Sequence, residues 1–342
     1  MEELKNIIQL LEQIPQPGFL VRENRITHVN QAAGALMLTP GQEFDLLCDI
    51  DWEDYDAACE GQLCLSLSIG GTAHQAAITR LEDADLILLD TPQMQEEFRS
   101  MALVSMELRG PLMQAISAAQ KLPADARMNQ SLMQMLRLVS NMADIGRYAA
   151  SVRMELRDVD SFLLELFEKA QALTTSRISI SFHGMNHPVF SLIDPEQLDR
   201  AVWIILSNCI KFMPEGGTIS AALTRRGNLL RLTVEDSGSG IAAQVRATLF
   251  QRYLRQPGIE DSRYGLGLGL AIVRTAAVNH GGTVLISPTS SGGTKVALTL
   301  PIRQEGNTAL HSPIFRPDYT GGWDHALVEL SDCPLPDLYT DL

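Results

Sequence analysis

The sequence lacks an excess of positive charge, a long hydrophobic run and a secretory signal. Its formal net charge is −14 at pH 7, which argues against nucleic acid as a partner because nonspecific binding needs a positive field. The longest apolar run, Ala201 to Leu206, is far shorter than the roughly 20 residues that cross a membrane. The N-terminus is acidic and amphipathic where a signal peptide would be basic and then apolar, so we expect a cytoplasmic chain without a transmembrane segment.

Cysteines are few, odd in number and scattered. They lack the paired close spacing of a zinc site, and we expect five structural thiols in a reducing compartment, namely Cys48, Cys59, Cys64, Cys209 and Cys333. Of the 342 residues, 45% are hydrophobic and 20% are charged, which excludes a disordered or fibrous chain. The length predicts two or three domains.

Residues 1–90 alternate short helices and strands. The sequence predicts an amphipathic helix at Leu4–Leu11, a hairpin that turns at Glu23-Asn24, and a short helix from Asn30 to Leu38. Three strands are predicted after it, at Leu63–Ile69, Thr72–Thr79 and Asp85–Leu89. This order resembles a PAS-like α+β sensor domain, and the alternative is another small α+β module.

In residues 91–152, residues that favour helices replace the strand patterns of the preceding segment. Pro123 to Asp125 separates two apolar stripes with three- and four-residue steps, which predicts a helical hairpin. Because two helices bury little, we expect a dimeric four-helix bundle, formed with a second copy or with a related chain. The first stripe contains Met94, Phe98, Met101, Leu108, Leu112, Ala115, Ala119 and Leu122, and the second Leu132, Met135, Val139, Met142 and Gly146.

Residues 153–302 return to alternating helices and strands. The clearest helix is Pro195–Met213, for which Asp194 is the expected N-cap. Five strand candidates, mostly in hairpin order, predict a mixed sheet covered by helices. With the preceding segments, this predicts a multidomain α+β protein.

Residues 303–342, called the tail below, contain several prolines and glycines, and only Asp324–Ser331 has a helical pattern. We expect the tail to dock through Arg316–Trp323 rather than to form a free arm, because an exposed Trp and Tyr cluster would be costly. The tail has a net charge of −5 and residues 1–90 one of −12, so the segment between them is mildly basic, at +3. That segment suits a polyphosphate ligand.

The stretch Val234–Ile241 combines a carboxylate with alternating glycines. Asp236 ends a predicted strand, where it can accept a hydrogen bond. Gly238 and Gly240 have no Cβ, so the backbone can close against a flat ligand. A surface turn would have a similar sequence.

Two further segments carry polar chemistry. Tyr264–Val273 is a glycine-rich loop that runs into a helix, and its exposed amides suit phosphates. On the helix after Pro195, Asn208, Lys211 and Phe212 stand at i, i+3 and i+4 and share a face. An amide oxygen for a metal, an ammonium for phosphate and a ring for a base would meet there.

These motifs, in this order, resemble the ATP-binding lobe of sensor histidine kinases, from the superfamily that includes gyrase and the heat-shock chaperone. The resemblance covers residues 153–302, called the lobe below, and implies a Bergerat-type α/β sandwich with an aromatic box at Leu249–Tyr253 and a mobile lid at Arg255–Tyr264. The ATP-binding residues it implies are Asn208 on Mg²⁺, Lys211 on the phosphates, Phe212 beside the adenine, Asp236 accepting from its exocyclic amine, Gly238 and Gly240 at the ring, Gly265, Gly267 and Gly269 with Leu268 at the phosphate tail, and Thr294 in the final glycine box.

The lobe departs from the family at Ile204, one helical turn before Asn208. Relatives usually have Asn, His or Glu there, and in the gyrase and chaperone branches a glutamate activates water for hydrolysis. The isoleucine argues against an ATPase motor. An ordinary core residue at this position is equally compatible with the sequence.

The hairpin carries a second resemblance and a larger departure. Val104 to Leu112 resembles the kinase phosphoacceptor box, but Met106 stands where the histidine should be. A thioether has no nucleophile comparable to an unprotonated imidazole nitrogen, although Glu107 is present to accept a proton or orient a ring. Gly110 replaces the Thr or Asn that, with Glu107, positions water for dephosphorylation of the partner regulator. Both standard activities of the box are therefore in question.

Three hypotheses follow from the resemblance. In the first, the chain binds Mg-ATP and signals through a homodimer or heterodimer, cannot phosphorylate itself at the usual site, and phosphorylates a relative's histidine. In the second, it is a non-catalytic scaffold whose ATP-dependent geometry controls a response regulator or a kinase partner. In the third, Met106 is an atypical or engineered change in a conventional kinase.

Overall fold

The computed structural model describes residues 2–47, 62–70, 72–81, 84–90, 92–147, 152–174, 177–185, 187–241, 268–304, 320 and 322–340. The α-helices are α1 (Glu2–Gln13), α2 (Gln31–Gly34), α3 (Pro92–Ala119), α4 (Ala126–Arg147), α5 (Val159–Leu173), α6 (Pro195–Lys211), α7 (Leu268–Asn279) and α8 (His325–Glu329). Short 3₁₀ helices span Asp45–Leu47, Leu330–Asp332 and Pro336–Tyr339. The strands are β1 (Gly18–Arg22), β2 (Arg25–Val29), β3 (Gln62–Ile69), β4 (Thr72–Arg80), β5 (Asp85–Leu89), β6 (Glu155–Asp158), β7 (Ile178–His183), β8 (Phe190–Ile193), β9 (Gly217–Arg226), β10 (Leu229–Asp236), β11 (Val284–Pro288) and β12 (Thr294–Pro301).

The predicted N-terminal hairpin is confirmed as β1 and β2. Its turn residues Glu23 and Asn24 have φ values of 49° and 61°, the left-handed conformation that a two-residue hairpin turn requires. The Asn30 side chain then caps α2 by accepting from the Ala33 amide at 2.9 Å, and it also accepts from the Gly18 amide at 3.0 Å. One buried amide group therefore fixes the hairpin against the start of the helix.

A single sheet of ten strands joins residues 1–90 to the lobe, in the order β2-β1-β5-β4-β3-β11-β12-β10-β9-β7. The join is antiparallel, with Leu63 of β3 opposite Leu285 of β11. Leu285 and Ala297 of the lobe belong to the hydrophobic core of the N-terminal segment. The sequence predicted both sets of strands but not this pairing, because nothing local to either strand specifies its neighbour across the join.

Helix α6 is almost entirely buried in the core of the lobe. Asp194 is its N-cap and accepts from the Gln197 amide at 3.1 Å, as predicted. The helix ends at Lys211, two residues before the predicted end, because Phe212 leaves the helical conformation with φ −93° and ψ 10°. Strands β6 and β8, which the sequence did not predict, pair with each other in a separate two-stranded sheet.

The predicted helical hairpin is confirmed as α3 and α4, but the predicted apolar stripe is partly wrong. Leu112 and Ile116 are buried, whereas Ala115 is exposed and Leu122 is 58% exposed. The first helix ends at Ala119, so Leu122 no longer continues the helical face. The side chains of Met94 and Phe98 lie outside the described residues. Among the described helices, none is long and apolar enough to cross a membrane.

Candidate functional site

Asp236 lies at the end of β10, where the chain turns into the glycine-containing segment. Its carboxylate is 7% exposed, and Oδ1 accepts from the backbone amides of Gly238 at 2.8 Å and Thr294 at 3.2 Å. Cys209 on α6 is fully buried and feels the charge of this carboxylate. Burial raises the pKa of Cys209 well above its usual range, and the Asp236 charge adds to the effect. The carboxylate is thus held in one orientation by two backbone amides from two segments.

The glycines around Asp236 allow approaches that other residues would block. A Cβ at Gly293 would clash with the backbone carbonyl oxygen of Asp236, and a Cβ at Gly240 would clash with that of Gly292. Gly240 and Gly292 also have positive φ values of 68° and 95°, which glycine adopts at little cost. A Cβ at Gly238 would lie 2.9 Å from Asp236 Oδ1. The backbone therefore closes tightly around the carboxylate.

The end of α6 meets this carboxylate turn. The backbone oxygen of Phe212 would lie 3.0 Å from a Cβ at Gly238, and Met213 contacts Ser237 at 3.7 Å. The structure thus brings together the α6 motif and the Asp236 motif, 24 positions apart in the sequence. The side chains of Asn208 and Phe212 are partly exposed.

The glycine-rich segment is described from Leu268 onward. Leu268 is buried as the first residue of α7, and a Cβ at Gly269 would lie 3.1 Å from Cγ2 of Ile204. Ile204 is 4% exposed within the main core, which favours the interpretation of this position as a core residue. Gly265 and Gly267, the aromatic box at 249–253 and the lid at 255–264 lie outside the described residues.

The phosphoacceptor-like segment lies on α3. Met106 is 68% exposed, and Glu107 and Gly110 are also exposed. None of the seven histidines of the sequence lies between residues 91 and 152. Within the part of the chain that the structure describes, no group of three or more His, Cys, Asp or Glu side chains could hold a metal ion.

The tail enters the site, which the sequence did not predict. Lys211, the residue expected to contact phosphates, pairs instead with Asp332 of the tail, at 3.2 Å between Nζ and Oδ2. Arg137 of α4 reaches the same Oδ2 at 2.8 Å. The lysine is 7% exposed and the aspartate 24%. Docking of the tail is confirmed for residues 322–340, whereas most of the predicted contact segment, 316–319, lies outside the described residues.

A second tail carboxylate lies deeper in the same interface. Glu329 and Arg200 are both fully buried, 3.3 Å apart, and Arg200 also meets Asp144 of α4 at 3.0 Å. Burial raises the pKa of Glu329, although Arg200 and Arg137 lower it. Single-sequence patterns do not find this cluster, because its members come from the hairpin, the lobe and the tail.

Residues 193–304 match the family described as histidine kinase-, DNA gyrase B-, and HSP90-like ATPase. Residues 193–304 are therefore a GHKL-type ATP-binding domain, of the kind found in sensor histidine kinases. An uncharacterized sensor-like histidine kinase of Rhizobium meliloti is 30% identical over 240 residues, covering 61% of this chain and 43% of that protein. The histidine-protein kinase/phosphatase MprB of Mycolicibacterium vanbaalenii is 43% identical over 102 residues, covering 30% of this chain and 21% of that protein.

Among solved structures, a mycobacterial sensor histidine kinase MprB is 29% identical with a TM-score of 0.38, covering 44% of this chain and 99% of that one. The chain spans less than half the length of the two curated relatives just named. The family match falls on α6 through β12, the elements that carry Asp236, Thr294 and the end of α6. The family match therefore identifies this segment as the ATP-binding domain.

Proposed function

We propose that this chain is a member of the sensor histidine kinase family, binds Mg-ATP in its lobe and acts in two-component signalling without phosphorylating itself at position 106. The observation that carries the proposal is the buried Asp236 carboxylate, fixed by backbone amides and surrounded by glycines that only tolerate a bare backbone. A fixed acceptor beside a turn of glycines without Cβ atoms suits the exocyclic amine and flat face of adenine.

The residues present fit the cofactor as follows. Asp236 would accept from the adenine amine, Phe212 would lie beside the ring, and Lys211 would neutralise phosphate charge. The amide oxygen of Asn208 would hold Mg²⁺, a ligand type that this ion prefers. ATP supplies the transferable γ-phosphoryl group, and the protein supplies position and charge neutralisation.

Calorimetric titration with Mg-ATP tests the nucleotide site. Asp236→Asn is expected to weaken binding by about tenfold or more, because it replaces an acceptor with a group that turns a donor toward the amine. Glu235→Gln is the matched control, since Glu235 is the neighbouring residue of β10 and pairs instead with exposed Lys295 at 2.9 Å. Equal affinities in the wild type and Asp236→Asn would refute the assignment.

We further propose that phosphoryl transfer, where it occurs, goes to the histidine of a related chain. Met106 offers no nucleophile, and hairpin residues Leu103, Val104 and Leu108 form an exposed apolar face around it that a second hairpin would cover. The chain should be mixed with a histidine-bearing relative whose own ATP site is inactive and with radiolabelled ATP. Label on the relative supports transfer in trans, and unlabelled relative opposes it.

The second candidate is a nucleotide-dependent scaffold for a response regulator. It is favoured by the exposed thioether of Met106 together with the absence of histidine from residues 91–152. Regulator binding that depends on nucleotide and is the same with a nonhydrolysable analogue supports the scaffold. Binding that requires hydrolysable ATP supports transfer.

We also propose a four-part organisation, with a PAS-like sensor at 1–90, a dimerisation hairpin at 91–152, the lobe at 153–302 and the tail at 303–342. The exposed apolar face of α3 supports a dimer through the hairpin. Sedimentation of the full chain should give twice the monomer mass. A monomer at micromolar concentration would contradict a homodimer and leave the heterodimer as the hypothesis to test.

A further inference from the structure

The tail packs in a groove between α4, the second hairpin helix, and α6. Two amide side chains of α4 bind its backbone carbonyls, with Gln130 Nε2 at 2.8 Å from the Ser331 oxygen and Asn129 Nδ2 at 3.0 Å from the Tyr339 oxygen. Apolar tail side chains fill the groove, and Val328, Leu330, Leu335 and Tyr339 are each no more than 2% exposed. This segment therefore has a defined register on both the hairpin and the lobe.

This packing brings the Asp332 carboxylate of the tail into contact with Lys211, the cation expected to contact phosphate. Asp332 shares its Oδ2 between Lys211 at 3.2 Å and Arg137 at 2.8 Å. Because Lys211 is almost buried, its ammonium has little water to replace a lost partner. A phosphate group that reaches Lys211 must either displace Asp332 or lie beside its negative charge, and both raise the free energy of binding.

The same carboxylate also joins the two regions that must cooperate in signalling. Arg137 belongs to the hairpin and Lys211 to the lobe, so Asp332 bridges them through a single oxygen atom. A ligand that takes Lys211 from Asp332 removes one side of this bridge. Binding of a ligand to Lys211 and the bridge from Asp332 to the hairpin are therefore coupled. Each weakens the other by the same free energy.

We propose that the tail is an autoinhibitory element, in which Asp332 occupies the place of a nucleotide phosphate on Lys211 and holds the lobe against the hairpin. Nucleotide and tail compete for Lys211. This inference rests on the proposed function, since it assumes that the lobe binds a nucleotide polyphosphate.

Calorimetric titration of the full chain with Mg-AMPPNP tests the competition. Asp332→Asn should tighten binding by about threefold to tenfold, in the range that a partly buried ion pair contributes. Asp337→Asn is the matched control, because it removes the same charge from an exposed position of the same tail and should change affinity by less than about twofold. Equal affinity in the wild type and Asp332→Asn would overturn the proposal.

A double-mutant cycle shows whether the effect passes through the lysine. In a Lys211→Met background, Asp332→Asn should no longer tighten binding beyond the Asp337→Asn control. Tightening that persists without Lys211 would be a general charge effect and would contradict the competition. No nucleotide binding by any form would overturn the proposed function and this inference with it, whereas binding that Asp236→Asn abolishes and Asp332→Asn leaves unchanged would overturn only the autoinhibition.

Hydrogen exchange on the wild-type chain gives a second test that needs no variant. Mg-AMPPNP at saturation should increase exchange of tail amides around residues 330–333. Exchange in α2, which contacts β1 and β2 at one end of the ten-stranded sheet, should stay unchanged. Unchanged or greater protection of the tail would contradict displacement of Asp332.

Discussion

The lobe and the hairpin each resemble a sequence motif of the sensor histidine kinases, but the two motifs are packed to different degrees. In the lobe, Asp236 is buried and held by two backbone amides, and the adjoining glycines fit tightly. In the hairpin, Met106 is exposed, and a Cβ added at Gly110 would meet nothing within 4 Å. Packing therefore restricts which residues can stand in the Asp236 motif, whereas position 106 is largely exposed in the single chain.

The largest expected effect comes from restoring the missing nucleophile. Met106→His should convert a chain without acid-labile, base-stable phosphate into one that acquires it with Mg-ATP, because the imidazole supplies the attacking nitrogen. Met106→Gln is the control, since it adds a polar side chain without a nucleophile. Phosphorimaging after base treatment measures the difference. No phosphate on Met106→His would mean that the lobe, too, has lost its function.

The second prediction tests how firmly the two regions are joined. Arg200→Met should lower the free energy of unfolding by about 3–5 kcal/mol, because it removes the buried guanidinium that pairs with the buried carboxylates of Asp144 and Glu329. Lys295→Met, at the exposed pair with Glu235, should cost less than about 1 kcal/mol. Urea denaturation measures both. Similar costs for the two variants would show that the buried cluster is not a major contributor.

The third prediction compares one glycine from each region. Gly293→Ala should weaken nucleotide binding by about tenfold and destabilise the chain by about 1–3 kcal/mol, because its Cβ clashes with the Asp236 carbonyl. Gly110→Ala meets open space apart from the neighbouring Pro111 ring, and should change stability by less than about 1 kcal/mol. Thermal melting and titration measure both. A Gly293→Ala variant with unchanged stability and unchanged nucleotide affinity would contradict the difference in packing between the lobe motif and the hairpin motif.

The smallest effect concerns pH. His280 lies buried at the end of α7, where its Nε2 accepts from the Asp194 amide at 2.9 Å and Nδ1 lies 2.6 Å from the Ala276 carbonyl oxygen. Burial lowers its pKa, although Ala276 and the Asp194 charge raise it, and Arg303 lowers it further. The folded chain therefore binds this proton less readily than the unfolded chain.

Stability from His280 is consequently present above the unfolded pKa and is lost as pH falls below about 6.5. We expect urea unfolding to show a loss of stability between about pH 7.5 and about pH 5.5, of at most about 1.4 kcal/mol, the limit for one proton over the one pH unit below 6.5. His280→Gln should flatten this dependence, because the amide can accept but does not titrate in that range. A steeper or unchanged slope in His280→Gln would contradict the assignment, and His187→Gln, at an exposed position, is the control.

Sequence patterns predicted the local parts of this structure well. The turn at Glu23-Asn24, the Asp194 cap and the hairpin helices depend on residues close together in the chain, and all are confirmed. The Asp236 motif was found for the same reason, since its carboxylate binds the amide of Gly238 only two residues away.

Long-range pairings were the part that the sequence could not predict. The pairing of β3 with β11 and the contact of Asp332 with Lys211 each join segments more than 100 residues apart. Neither leaves a local signal, because an exposed strand edge and a lone acidic residue occur in many surroundings. The sequence therefore predicted that the tail docks, but not that its Asp332 pairs with Lys211.

One measurement tests the central claim, that the chain binds ATP but does not accept its phosphate. The wild-type chain, incubated with γ-labelled Mg-ATP, is divided between equilibrium filtration, which reports bound nucleotide, and base treatment, which reports phosphohistidine. The account predicts saturable binding of about one nucleotide per chain and no base-stable label. Base-stable label on the wild-type chain, or the absence of bound nucleotide, would contradict it.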